Sequence, residues 1–176
     1  MINVKNSQWA NVIIFLIPEL TFVISLFFLM KNYNYAFIYF IGYFINYLFN
    51  HILKGWFQER RADDESKLLK IEKIFRKNIS FETYAMPSTA MQSMFYSLVY
   101  TYNVLKNINM LIFNTFLCFI IMFERVYNKH HTFKQVVAGA IIGSFVGYGG
   151  YIIGKKVNRG QQKEKEDDNF GLNKEH

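Results

Sequence analysis

The sequence predicts an all-α, polytopic transmembrane helical bundle of about five spans, with an amphipathic helix on the membrane surface. Two observations predict it. Hydrophobic residues make up 52% and aromatic residues 19% of 176 positions, more Phe, Tyr and Ile than a soluble domain of this size can hide. The charges, 20 Lys and Arg against 13 Asp and Glu for a net +7, gather into short basic stretches between long apolar ones. That alternation is the pattern of a chain threaded through lipid.

The first span is expected over residues 9–30. At 1.5 Å per residue it would reach roughly 33 Å, enough to cross a bilayer core. It is too long and lacks the small-residue cleavage site of a signal peptide, so it reads as a retained span. It carries Pro18-Glu19 near its centre. A carboxyl at membrane depth must face protein, water or a partner, and a kink with a satisfied or protonated carboxyl is the plainer expectation than catalysis. The second span is expected over 33–53, where Tyr35, Tyr39, Tyr43 and Tyr47 fall on one helical stripe. Such a stripe reads as packing or an interface belt before it reads as a ligand box. The third span is expected over 87–105, opened by Pro87, and the fourth over 108–123, with the short Lys106-Asn107 turn making them an antiparallel hairpin. Cys118 lies in the fourth and, as a lone buried thiol, reads as packing. The fifth span, 134–153, carries Gly139, Gly143 and Gly147, a small-residue stripe that lets another helix approach closely.

Two segments are expected outside lipid. Residues 63–79 are charged but keep Leu68, Ile71, Phe75 and Ile79 along one side, as in an amphipathic helix resting on a membrane surface. Residues 158–176 are polar and of mixed charge, which reads as a disordered tail after a membrane domain covering 1–157.

With five spans, one membrane face collects the N-terminus, the long loop between spans two and three, and the loop between spans four and five. Three clusters meet on that face: Lys54 to Arg61, Tyr84 to Gln92, and Arg125 to Gln135. Cations at span ends are ordinary snorkelling residues when taken singly. Together they supply charge and forked donors for phosphate oxygens, while Ser88 and Thr89 open a helix whose free N–H groups bind anions. His131 is a candidate nucleophile toward phosphorus. When Lys54, Arg61 and Arg125 are set aside as phosphate ligands, the two faces carry nearly equal positive charge and orientation is undecided by the overall count. Lys155, Lys156 and Arg159, directly after the last span, argue for a cytoplasmic tail and so for a site on the lumenal or extracytoplasmic face.

The three clusters resemble the motifs of the type-2 phosphatidic acid phosphatase superfamily, and within it the dolichyl-diphosphatase branch. The first family motif is Lys, six residues, then Arg-Pro; Lys54 and Arg61 have that spacing, with Gln58-Glu59 in the style of the branch. The second, Pro-Ser-Gly/Ser-His, is matched by Pro87-Ser88-Thr89. The third is Ser-Arg, five residues, His, three residues, Asp; Arg125 and His131 match it, within Arg-Val-Tyr and His-Thr-x-x-Gln-Val. The resemblance covers roughly 54–150. It implies that Lys54, Arg61, Ser88, Thr89 and Arg125 hold the phosphate. It implies too that His131 attacks phosphorus to form a phosphohistidine, with no metal or cofactor. The implied substrate is a phosphorylated lipid, with an isoprenoid diphosphate favoured.

The sequence departs from the pattern at several positions. Arg60 and Ala62 replace prolines, Glu124 stands where the third motif has Ser, and Gln135 replaces the Asp that orients the nucleophile. Gln135 is expected to accept an imidazole N–H without stabilising imidazolium by charge. Ala90 occupies the place of the general-acid His. Losing a general acid costs about 10² to 10⁴ in rate. The loss falls more heavily on monophosphates, whose alkoxide leaving group needs the proton, than on diphosphates. His130, expected to point away from His131 if both are helical, and His51, one turn before Lys54, are the other imidazoles near the site. Three readings stand: a lipid phosphatase, a relative that binds the headgroup without turnover, and a membrane scaffold. Nucleic-acid binding is not expected, because the basic residues sit at membrane boundaries and the tail is of mixed charge.

Overall fold

The computed structural model describes residues 4–60 and 84–172, with side chains described over 15–60 and 84–163. Arg61 and the expected surface helix over 63–79 lie outside the described residues. The described residues form five helices: α1 (Val4–Leu29), α2 (Tyr33–Phe57), α3 (Thr89–Leu105), α4 (Ile108–Tyr127) and α5 (Phe133–Leu172). Among the described residues, α2, α4 and the 133–163 part of α5 are long and apolar enough to cross a membrane, and α1 adds the apolar stretch Phe15–Leu29.

The helix ends follow local chemistry. Gln58 and Lys106 take the left-handed conformation just past α2 and α3, and their N–H groups return to the Lys54 and Tyr102 carbonyls. Asn107 caps α4 by accepting from Met110 N at 3.1 Å. Helices α2 and α4 both run four residues beyond the expected span ends. Lys54 and Arg125 therefore sit on the last helical turns, not in loops. Pro87 lies just outside α3, before the N-cap Ser88, and its peptide bond with Met86 is cis. Helix α5 continues through Leu172, past the boundary expected at 158. The Gln-Gln-Lys-Glu-Lys-Glu run after Gly160 consists of good helix formers added to a helix already nucleated. Asn34 Nδ2 also donates to Gln161 Oε1 at 2.7 Å and ties this extension to the start of α2.

Helix α3 is the centre of the bundle. It has 17 residues and buries Gln92, Ser93, Ser97 and Thr101 along with Met91, Met94, Tyr96 and Tyr100. A polar helix is viable at membrane depth only when surrounded by protein that satisfies it. Tyr96 and Tyr100 donate to the Tyr39 and Tyr35 carbonyls of α2 at 2.9 and 2.8 Å, and Tyr39 shares a 2.8 Å hydrogen bond with Ser97. The α2 tyrosine stripe is thus packing: Tyr39 is wholly buried, with its ring stacked 5.5 Å from that of Tyr96.

The closest approach is between α3 and α5, which run parallel. A Cβ at Gly139 would lie 2.6 Å from the Ser88 carbonyl oxygen, and one at Gly147 would lie 2.7 Å from that of Tyr96. A Cβ at Gly143, between them, would collide with the backbone carbonyl of Gln92. The glycine stripe is therefore occupied by the chain's own α3. Gly143→Ala should lower unfolding stability in detergent micelles by about 1–3 kcal/mol, since rigid backbone must give way. Gly149→Ala, at a position with nothing within 4 Å, should leave the thermal midpoint unchanged or slightly raised.

Candidate active site

The three clusters are joined pairwise at one end of the bundle. Asn50, one turn before Lys54, donates to the Pro87 carbonyl at 3.3 Å and accepts from Thr89 Oγ1 at 2.9 Å. The Ala85 N–H donates to the Glu59 carbonyl at 2.8 Å, beside an antiparallel bridge between Arg60 and Tyr84. The second cluster meets the third where Ser88 N–H donates to the Gln135 carbonyl at 3.2 Å. The first meets the third where Gln135 Nε2 donates to Glu59 Oε1 at 3.0 Å. The parallel packing of α3 and α5 brings both N-termini to the same end of the bundle, α5 starting before the point where Gly139 meets Ser88, so two sets of helix N–H dipoles point to that end.

The cations do not snorkel. Lys54 is 0% and Arg125 6% exposed, so both turn into the bundle. Burial of unneutralised charge is costly, which makes such residues either paired or poised for an anion. The Arg125 guanidinium also lies over the Phe15 ring, 5.8 Å from its centre. Ser88 is fully buried at the N-cap of α3, and its hydroxyl finds no hydrogen-bond partner among the described residues. Ala90, in the first turn of α3, packs on the apolar group of Met91, Ile121 and Val136 and offers no proton.

His130 and His131 are buried in the loop between α4 and α5, not in a helix. Lys129, with φ of 59°, reverses the chain there. The His131 N–H returns to the Arg125 carbonyl at 3.0 Å, which fixes the nucleophile candidate to the turn that carries the cation. His130 is drawn inward, with Nε2 3.5 Å from Glu124 Oε1. Glu124 also accepts from Asn128 Nδ2 at 3.0 Å and lies 3.3 Å from Arg125 Nε.

Gln135 works as part of a capping box. Its Oε1 accepts from Thr132 N–H at 3.0 Å, and its N–H reaches Thr132 Oγ1 at 3.4 Å. Thr132-Phe-Lys-Gln135 is a recognisable start signal for α5, and its reciprocal bonds direct the Gln135 amide to Thr132 and Glu59. Among the described residues no group of three His, Cys, Asp or Glu is placed to hold a metal ion. A cavity of about 610 Å³ lies at the other end of the bundle, bordered by Ile24, Phe28, Lys31 and Asn107, and none of the site residues lines it.

A profile of the PAP2 superfamily, the type-2 phosphatidic acid phosphatases, matches residues 35–159. The chain belongs to the PAP2 superfamily. Searches of curated proteins and of solved structures find no match. The matched region runs from α2 into α5 and takes in all three clusters. Together with the apolar spans, membership makes the chain an integral membrane protein of a phosphatase family.

The structure adds residues to this PAP2 site that motif spacing does not reveal. Asn46, Asn50 and Gln92 form a buried amide chain. In it Gln92 donates to Asn46 Oδ1 at 2.9 Å and accepts from Asn50 Nδ2 at 2.7 Å. Asn46 and Asn50 are four apart in α2, so one helical face of amides was visible without a hint of its partner. Glu59 was visible only as a branch-like residue beside the first motif, and its link to Gln135 is a tertiary contact. Asn50→Ala should strand Gln92 and Thr89 and lower stability by about 1–3 kcal/mol. It should also speed hydrogen exchange at the first turn of α3 more than in α4, measured by mass spectrometry in micelles.

Proposed function

We propose that the chain is an integral membrane lipid phosphatase that acts through a phosphohistidine on His131, with isoprenoid diphosphates favoured as substrates. The observation that carries this reading is the buried, unpartnered Ser88 hydroxyl at the N-terminus of α3. It lies in the same stapled end as the buried cations Lys54 and Arg125. A site with that charge and those donors is built for a tetrahedral oxyanion. Thr89 and Arg61 complete the proposed phosphate ligands.

The chemistry follows. An imidazole nitrogen of His131 forms a bond to phosphorus as the bond from phosphorus to the leaving oxygen breaks. Water then attacks the phosphohistidine, releasing inorganic phosphate and restoring the imidazole. Lys54, Arg61 and Arg125 offset the charge that develops on the phosphoryl oxygens. The leaving oxygen gets no proton from Ala90. A lipid phosphate departing from a diphosphate is a weak base that leaves without help, whereas an alkoxide is not. Lys155, Lys156 and Arg159 at the opposite end support a lumenal or extracytoplasmic site.

A second reading has its own observation. Ala90 is embedded in apolar packing, which suits a relative that binds phospholipid headgroups without turnover. Phosphate release from an isoprenoid diphosphate and a lipid monophosphate, by purified protein in nanodiscs, separates the two. The phosphatase reading expects turnover of the diphosphate, lost in His131→Ala and lowered about 10²- to 10³-fold in Arg125→Ala. Ala90→His should raise monophosphate turnover by about 10²-fold or more and diphosphate turnover less. Equal turnover of both substrates by the unsubstituted chain would contradict the diphosphate preference. Binding with no release, before and after Ala90→His, would favour the second reading.

A further inference from the structure

We propose that Glu124 is a resident anion of the phosphate site, held on Arg125 until a phosphate group displaces it, and that it thereby sets how tightly the site holds phosphate. The inference rests on the phosphate-site reading above. Glu124 and Arg125 are adjacent on the last turn of α4, and their side chains are only 11% and 7% exposed. A carboxylate and a guanidinium in such a poorly screened place interact strongly, and any incoming anion must compete with the carboxylate.

The two carboxylate oxygens are held differently. Oε1 accepts from Asn128 Nδ2 at 3.0 Å and faces His130 Nε2 at 3.5 Å. Oε2 lies 3.3 Å from Arg125 Nε yet accepts no hydrogen bond among the described residues. The contact with Arg125 is therefore Coulombic and not an aligned hydrogen bond, so Oε2 can leave it without breaking a directional bond. A phosphate on Arg125 can displace Oε2 while Asn128 and His130 keep hold of Oε1, so the carboxylate is never left buried without a partner. That arrangement makes the exchange inexpensive in both directions. When product leaves, Glu124 returns to Arg125 and opposes rebinding of inorganic phosphate. The carboxyl of Glu19 on α1 also lies within electrostatic reach of Arg125.

The test is inorganic phosphate binding by calorimetry on the full chain in nanodiscs. Glu124→Gln keeps the shape and an acceptor for Asn128 but removes the charge, and should bind phosphate about tenfold tighter or more, the scale of one charge-assisted interaction. Glu124→Asp should stay near the unsubstituted chain, and Glu124→Ser serves where the Gln variant does not fold. Unchanged or weaker binding in the neutral variants would overturn the proposal and make Glu124 a mere support for Arg125. If neither the unsubstituted chain nor the neutral variants bind phosphate, the phosphate-site reading itself falls. A second measurement uses the unsubstituted protein. Sulfate, a tetrahedral oxyanion inert to the reagent, should speed labelling of Glu124 by dicyclohexylcarbodiimide, mapped by peptide mass. Slower or unchanged labelling counts against displacement.

Discussion

The close approach of α3 and α5 is the contact on which the site depends. Three glycines four residues apart leave room for the Ser88, Gln92 and Tyr96 carbonyls of the neighbouring helix. Because the helices run parallel, both begin at the same end of the bundle, with Ser88 at the start of α3 set against Gly139 in the second turn of α5. Ser88 N–H then reaches the Gln135 carbonyl, and the second and third clusters become one structure. A side chain at Gly143 would separate the helices next to Gln92. The displacement would travel to Ser88 one turn away and on to the amide chain that holds α2.

That amide chain answers a second constraint. Lipid offers no hydrogen bonds, so each polar group of α3 must be satisfied by a neighbour. Gln92 meets Asn46 and Asn50, Ser97 meets Tyr39, and Thr101 bonds the Ser97 carbonyl of its own helix. Ser88 alone among these has a hydroxyl with no hydrogen-bond partner among the described residues, and it stands at the N-cap of α3, the end of the bundle that carries the three clusters.

Much of this was legible in the residues. Spans, the glycine stripe, the motif residues and their shared face all follow from hydropathy and spacing, because lipid imposes a coarse rule on every residue it touches. Span ends were less legible. Hydropathy falls at Lys54 and Glu124, but the helices continue past them because the helix is limited by backbone caps and not by the first charge. The direction of Lys54 was hidden for the same reason: a cation at a span end points to solvent by default, and only tertiary packing turns it inward. The tertiary partners of Asn50 and Gln135, Thr89 and Glu59, lie 39 and 76 residues away along the chain, beyond any local pattern. The direction of His130 was legible only on the condition of a continuous helix, which ends at Tyr127. The positive φ at Lys129 breaks it and folds the imidazole onto Glu124.

The departures from the family pattern then fall into two physical kinds. Glu124 brings a negative charge to the phosphate cation, but it touches His130 and Asn128, which hold it and give it somewhere to go. The effect proposed for it is on affinity alone. Ala90 is different, because it packs on Met91, Ile121 and Val136 at the place where the family pattern has a histidine. Nothing polar in that contact can substitute for it. Lys54, Ser88 and Arg125, the proposed phosphate ligands, sit at the ends of α2, α3 and α4, apart from the apolar packing around Ala90. On the proposed reading, binding and proton delivery are therefore separable, and the basicity of the leaving group would decide which substrates are cut.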